Sequence, residues 1–467
     1  MDKFQFSNFK AYKTEAAVPI KRLNIIMGCN SSGKSSIFHF LQLLKQSTSP
    51  QNHNSLVFTP VNTKQKDLIS FNNIIFSHNA ELTLDFSFLG SLKKRDSENS
   101  KDVYEFKIDY SIAGVGRSTY IKSYKLWRKA PKDDFSLLLE IQGKPSKSPG
   151  IIATEYQFVN VNDAAIEKFD SSDSLLSFIQ NFLKLKKYKT LSSYLMTTRV
   201  VFDGIVPQHI ITKAPSPRGA KAEKKEIDHL LPLTMVIPFW ETSTNMVNKY
   251  LDKCNFIGPI REQIRPFYSN RDVPPDDYIG YSGENLGYYL QDNATIKSVN
   301  EALKLLEIPY TLEAQESAAI DGLAVFLKTT GEESISIRPD SVGMGISQLM
   351  PILIECSINK RATTLIEQPE LHLHPRQHVL LAEFLIKSLV NNEKQSIWVE
   401  THSEYLLQGV LQHAKKHAFP YDNINIICVN AIDGEARIDC VTPSSDYSYS
   451  FPFDMKLFPL LDFFVES

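Results

Sequence analysis

Two kinds of hydrophobic patterning divide the chain. From Phe4 to Tyr12 apolar and polar residues alternate, as in a strand with one wet face, and residues 17–20 repeat the pattern briefly. Similar alternation runs through residues 80–88, 103–112, 119–127 and 136–141, which predicts a succession of antiparallel strands. Elsewhere the apolar runs are continuous: Leu23–Met27, Thr364–Ile366 and Ile397–Val399 read as strands buried on both faces. Residues 423–429 and 436–441 predict two closing strands, and residues 451–464 an apolar tail containing proline. Helical spacing is predicted for residues 173–203, where Leu175, Leu176, Ile179, Phe182 and Leu183 share a face, and again for residues 227–251.

Length and composition narrow the picture. A chain of 467 residues, 42% of them apolar, can build one large domain or two to three smaller ones. A net charge of −2 supplies no global field for nucleic acid or anionic membrane, so such binding falls to local patches. The basic, proline- and glycine-punctuated residues 213–226 predict an exposed loop that touches nucleic acid or an acidic partner, or is simply solvated. Five scattered cysteines without a CxxC pair fit a reducing compartment. With no basic leader and no apolar run of spanning length, the expected location is the cytoplasm, away from membrane. No heptad run long enough for a coiled-coil arm and no internal repeat is present.

The strongest chemical signal follows the first buried strand. Gly28-Cys29-Asn30-Ser31-Ser32-Gly33-Lys34-Ser35 spells G-x-x-x-x-G-K-S between a strand and a helix carrying Ile37, Phe38, Leu41 and Leu44. Gly28 and Gly33 let the loop curl, so that the N–H groups of Asn30, Ser31, Ser32 and Ser36 and the helix N-terminus can face phosphates. Lys34 supplies charge, and the Ser35 hydroxyl is a ligand for Mg²⁺. Together these predict a nucleotide's phosphates with Mg²⁺, and the choice of ATP as cofactor comes from the motifs about 300 residues later and the class they resemble. Much later, Thr363-Thr364-Leu365-Ile366-Glu367 predicts a strand beside the phosphate strand that ends in a carboxylate able to hold the metal shell. Ser341-Val342-Gly343-Met344-Gly345-Ile346-Ser347 opens an apolar helix (Leu349, Ile352, Leu353, Cys356) and makes an anion-binding nest. His372, His374 and His378 raise a zinc reading. Pro375 and the lack of a completing carboxylate or cysteine favour a structural or phosphate-proximal role instead.

These strings resemble a known class. The order of two N-terminal strands and a GxNxSGKS loop is similar to the RecF, SMC and OLD-type ATPases, and Glu367-Gln368-Pro369-Glu370-Leu371-His372-Leu373-His374-Pro375 resembles their EEPExxLHP element. The resemblance implies an α/β fold: a P-loop ABC-type ATPase with a mixed β-sheet, an antiparallel β extension, and an inserted β plus helical subdomain. Residues 1–88 are expected to form the N-terminal ATPase lobe, 89–250 the insertion, and 251–467 the C-terminal lobe. Glu367 is implied as metal ligand, with Gln368 where the general base usually stands and Glu370 the nearest group able to replace it. His402, ending the run Ser396–Ser403, is implied as the switch histidine at the γ-phosphate. Gly343, Gly345 and Ser347 occupy the place of the signature segment, which in that class caps a partner subunit's nucleotide, so a homodimer is expected.

The stretch Gly258-Pro259-Ile260-Arg261, with Tyr268 and Tyr278–Glu284, resembles a GPxR…Y…G…GE stretch of bacterial ABC-type ATPases linked to phage defence. Arg261 is open there to a phosphate, an interface or a plain salt bridge. The resemblance points to the ATPase subunits of two-component anti-phage systems such as Septu and PARIS, where a separate effector, often a nuclease, is held or licensed. No D-x-D follows His402, so no built-in Toprim nuclease is expected. Two alternatives stand beside that reading: a RecF- or SMC-like DNA-repair ATPase that binds DNA directly, and a nucleotide-dependent scaffold that barely hydrolyses ATP.

Overall fold

The computed structural model describes residues 1–48, 55–58, 70–93, 103–115, 118–130, 133–145, 154–167, 189–212, 229–232, 238–269, 278–317, 321–331, 333–358 and 361–450. They fall into two units, one of residues 1–18 and 39–252, the other of residues 19–38 and 253–467. Strands are numbered β1 to β20 in chain order.

The first unit is built on a ten-stranded sheet, and alternation explains it. Its strands are β1 (Lys3–Ser7), β2 (Ala16–Pro19), β4 (Leu84–Lys93), β5 (Val103–Val115), β6 (Ser118–Lys129), β7 (Ser136–Pro145), β8 (Thr154–Val161), β9 (Thr198–Asp203), β10 (Val206–Thr212) and β11 (His229–Pro232). They lie in the order β11-β10-β9-β8-β7-β6-β5-β4-β1-β2. On β5, Phe106, Ile108, Tyr110 and Ile112 are buried, while Lys107 and Asp109 face the other way and pair at 3.0 Å. A file of aromatic rings crosses the inner face: Phe86 stacks on Tyr110 at 4.7 Å, and Tyr110 meets Tyr124 edge-on at 5.1 Å. Trp240, on the helix Pro238–Asp252, closes the file by donating its indole N–H to the Tyr124 hydroxyl at 2.7 Å. Register shifts in the β5–β6, β6–β7 and β7–β8 pairs mark bulges, which raise the local twist.

Part of the helical expectation is overturned here. Within residues 173–203, the described part holds a one-turn helix, Leu191–Leu195, and then strand β9. Thr198, Val200 and Phe202 alternate with Arg199 and Val201, and Gly204, at φ 58°, turns the chain directly into β10. Likewise β11 occupies the start of the expected helix 227–251, which begins instead at Pro238, a residue suited to a first helical turn. Residues 171–188, the basic stretch 213–226 and the tail 451–464 lie outside the described residues.

In the second unit the continuous apolar runs become a six-stranded sheet. It comprises β3 (Leu23–Gly28), β12 (Cys254–Ile257), β17 (Thr363–Glu367), β18 (Ser396–Glu400), β19 (Ile424–Ile432) and β20 (Glu435–Val441), ordered β12-β17-β18-β3-β19-β20. The first five pair in parallel, and β20 closes antiparallel through an Asp433-Gly434 turn with both residues at positive φ. β3 and β17 are buried along their whole length, as a parallel sheet covered on both faces requires. A smaller antiparallel sheet holds β13 (Phe267–Ser269), β14 (Tyr310–Ser317), β15 (Gly322–Thr329) and β16 (Ser336–Ile337). The strand order corrects one expectation: the strand ending in Glu367 is not beside the phosphate strand, because β18 lies between them. The crossover helices Pro375–Asn391 and Glu404–Lys416 pack closely, since a Cβ at Gly409 would sit 3.0 Å from both Val379 Cα and Ala382 Cβ.

Gly409→Val is therefore expected to force these helices apart and destabilise the chain by about 1–3 kcal/mol in denaturant unfolding. An unchanged midpoint would show that the contact tolerates the added volume.

Candidate functional site

The phosphate loop is held at its entrance by a backbone contact. A Cβ at Gly28 would lie 2.1 Å from the carbonyl oxygen of Val429 on β19, so only glycine lets β3 end there. Ser31 at φ 60° and Gly33 at φ 102° curl the loop, with the Ser32 N–H closing onto the Cys29 carbonyl at 3.3 Å. The helix Lys34–Gln46 then begins with no acidic residue in its first turn, leaving the positive end of its dipole to the loop. Lys34 is almost fully buried and folds back over the loop, donating to the Gly28 and Cys29 carbonyls at 3.0 and 2.6 Å. Burial holds its ammonium below the usual lysine range, opposed by Glu400, Cys29 and Glu370.

The parallel ladder brings the distant motifs to the same end of the sheet. Glu367 on β17 pairs in register with Glu400 on β18, which in turn pairs with Ile26 on β3. The Ser35 hydroxyl donates to Glu400 Oε1 at 2.8 Å. Glu400 is the site residue that sequence reasoning missed; the available signal was an acid two positions before His402, at the end of a buried strand. Burial raises its pKa, against the Ser35 hydrogen bond and Lys34 and with Glu370. Glu367 accepts from the Tyr281 hydroxyl at 3.2 Å.

Beyond β17 the chain turns sharply. Gln368 adopts φ 44°, and its N–H is taken by the Glu400 carbonyl at 2.8 Å. Glu370 Oε1 accepts the backbone N–H of His402 at 2.8 Å, joining the turn after β17 to the turn after β18. Partial burial and Lys34 hold His402 below the usual histidine range, against Glu370, so the ring is neutral at pH 7 and can donate one N–H.

Arg261 finds its hydrogen-bond partners inside the fold. It is buried, its backbone and the Gln348 amide hydrogen-bond reciprocally, and its guanidinium donates to the carbonyls of Gln348 and Glu367. It braces the end of β17 against the helix Met344–Ile358. In the nest before that helix, Gly343 is exposed, while Gly345 backs onto the His372 carbonyl, which a Cβ would meet at 2.6 Å. Ser347 departs from the expectation: its hydroxyl is buried and accepts the Ile264 N–H at 3.4 Å, because its side of the helix faces the core. Two of the three histidines that raised zinc are engaged elsewhere. His374 Nδ1 caps its helix through the Arg376 N–H, and His378 contacts the Ser403 hydroxyl and the Leu373 carbonyl.

Ser32 Oγ, Glu370 Oε2 and Glu400 Oε2 are among the buried polar atoms that have no hydrogen-bond partner among the described residues. A donor hydroxyl by a glycine-rich loop and two bare carboxylate oxygens fit a phosphate chain and its divalent cation. Residues 1–407 match the family described as AAA ATPase domain. The chain belongs to that family. Among solved structures, this AAA ATPase domain is similar to the Smc head bound to the C-winged helix domain of ScpA, with TM-score 0.41, 13% identity, and coverage of 94% of this chain and 98% of that one. It is also similar to the Smc head domain with an extended coiled coil bound to the C-terminal domain of ScpA from Pyrococcus furiosus (TM-score 0.38, 12% identity, 94% and 96% covered). A third is the SMC head domain from Thermotoga maritima (TM-score 0.34, 10% identity, 94% and 97% covered). No curated protein matches the chain in sequence. No helix among the described residues is long and apolar enough to cross a membrane.

Glu400 yields a prediction in which stability and binding move oppositely. Its folded pKa is raised, so the folded chain holds this proton more tightly, and ionisation costs stability as pH rises past the ordinary glutamate range. Glu400→Gln is expected to raise the melting temperature at pH 7–8, with the gain shrinking toward pH 4, while weakening Mg²⁺-nucleotide binding. A variant less stable than wild type at pH 8 would show that the charge is needed for folding.

Proposed function

We propose that this AAA ATPase domain binds ATP with Mg²⁺ and hydrolyses it slowly, as a switch that holds or licenses a separate effector in an anti-phage system. The observation that carries the ATPase part is the pair of hydrogen bonds linking three motifs, Ser35 to Glu400 and Glu370 to His402. Gly33, Lys34 and the helix N-terminus would hold the phosphates; Ser35, Glu367 and Glu400 would serve Mg²⁺, whose charge offsets that of the phosphates. Glu370, with one bare oxygen, is the proton acceptor we assign, and Gln368 orients without accepting. His402, neutral, donates to the terminal phosphate.

The homodimer reading rests on the exposed turn at Gly343, followed by Met344, 48% exposed, at the start of a helix. There a second copy would complete the nucleotide site, with hydrolysis releasing it. The effector, such as a nuclease, and the defence role rest on the motif resemblance alone. Gln368 favours one other reading, a nucleotide-dependent scaffold with little turnover.

Lys34→Ala is expected to abolish binding of a fluorescent ATP analogue. Glu370→Ala is expected to keep binding and lower turnover by roughly 10²-fold; turnover equal to wild type would remove Glu370 from the role. Sedimentation with and without ATP tests the dimer. ATPase stimulated by DNA, with affinity falling steeply as salt rises, would favour the DNA-repair alternative instead.

A further inference from the structure

A second cluster of ligating side chains lies on the two crossover helices, outside the nucleotide motifs. Glu383 projects from the helix Pro375–Asn391, while His413 projects from the helix Glu404–Lys416 and His417 caps its end. Their ligating atoms all lie within 4.8 Å of one another. His417 Nε2 is 3.2 Å from Glu383 Oε1, and His413 Nδ1 is 3.7 Å from Glu383 Oε2. We propose that Glu383, His413 and His417 form a Zn²⁺ site that staples these helices together.

The donor set suits that ion. Two imidazoles and one carboxylate with a fourth position left to water are a zinc ligand set. Histidines four apart stand one above the other on one helical face, and these two rings stack with centroids 6.2 Å apart. Tetrahedral bonds of about 2.0–2.2 Å place ligand atoms roughly 3.4 Å from one another. Closing the site from its present spacing thus takes side-chain adjustment only.

One atom is otherwise unexplained: His413 Nδ1 is buried with no hydrogen-bond partner among the described residues. A metal bond would satisfy it. Burial opposes ionisation of Glu383, but hydrogen bonds from Lys387, Lys416 and His417 outweigh it and hold the carboxylate at about 2. A cleft of about 840 Å³, lined in part by Glu301, Lys304, Phe384 and Lys387, reaches Glu383 from solvent.

The competing account is an ion-pair knot, for Lys387 and Lys416 each stand 3.2 Å from Glu383 Oε1. It engages Glu383 Oε1, and leaves His413 Nδ1 with a 3.7 Å approach to Oε2 that is too long for a hydrogen bond. Both lysines are largely exposed, at 42% and 59%, and can swing into water when the ion enters.

The test is titration of the full-length chain with Zn²⁺ by calorimetry, together with the visible absorption of a Co²⁺ adduct. One ion per chain is expected, and His413→Ala and His417→Ala should each weaken binding at least about tenfold. Lys416→Ala removes a competing cation and should tighten it. Wild type and the double histidine variant binding alike, or Lys416→Ala weakening the affinity, would overturn the site. The lysine arm decides the matter even if a histidine variant fails to fold.

Discussion

Two glutamates buried side by side at the ends of adjacent parallel strands set the terms for the second unit. Glu367 and Glu400 are in register across one strand spacing, roughly 4.8 Å. Burial disfavours ionisation of Glu400, and the nearby carboxylate of Glu370 adds to that cost. The surroundings are arranged around that cost. Tyr281 donates to Glu367, Ser35 donates to Glu400, Arg261 and Lys34 bring positive charge from either side, and Glu400 holds its proton more tightly than an exposed glutamate. A site under such strain has a physical use for a divalent cation, which removes the repulsion that the fold maintains.

What could be read in the sequence follows from the range of the interactions. The phosphate loop was legible because its determinants, Gly28, Gly33, Lys34 and Ser35, are neighbours whose spacing is itself the geometry. The strings around Glu367 and His402 were legible for the same reason. Glu400 was not, since an acid at the end of an apolar strand is commonly a surface residue, and only the β18–β3 pairing places it against Ser35. Arg261 stayed ambiguous because its partners, Gln348 and Glu367, lie 87 and 106 residues further on. Ser347 was assigned outward from its position in a string, but helical phase turned it inward. The same short-range reading mistook the alternation of Thr198–Phe202 for part of a helix, where the deciding element was the turn at Gly204.

Part of the local strain in the second unit lies where β3 and β17 leave the sheet. Ser31, Gln368 and His372 all adopt positive φ without being glycine, and each sits in a turn of the phosphate loop or the segment after β17. Such conformations cost of order 1–3 kcal/mol each and persist when the surroundings over-determine them. Here the surroundings are visible: Gln368 N–H is held by the Glu400 carbonyl, and the His372 carbonyl lies against Gly345. The helices that follow are fixed at their starts by His374 and Ser403, whose side chains accept backbone N–H groups, and His378 bonds to Ser403. The turns bearing Glu370 and His402 are therefore anchored on both sides, which is the rigidity a preorganised site requires.

The same charge balance gives a reason for the glutamine at position 368. Glu367, Glu370 and Glu400 already set three carboxylates against the two buried cations Lys34 and Arg261. A fourth carboxylate immediately after Glu367 would add like charge to a pair that already repels, and one of the group would take up a proton in answer. Glutamine keeps the shape and hydrogen-bonding capacity of that side chain while leaving the ionisation of its neighbours undisturbed. The proposed consequence is chemical: proton acceptance would pass to Glu370, whose Oε1 is committed to the His402 N–H and whose Oε2 has no partner among the described residues. A base anchored through one oxygen and available through the other is positioned but restrained. On the function proposed above, slow turnover would follow from that restraint as well as from the missing carboxylate.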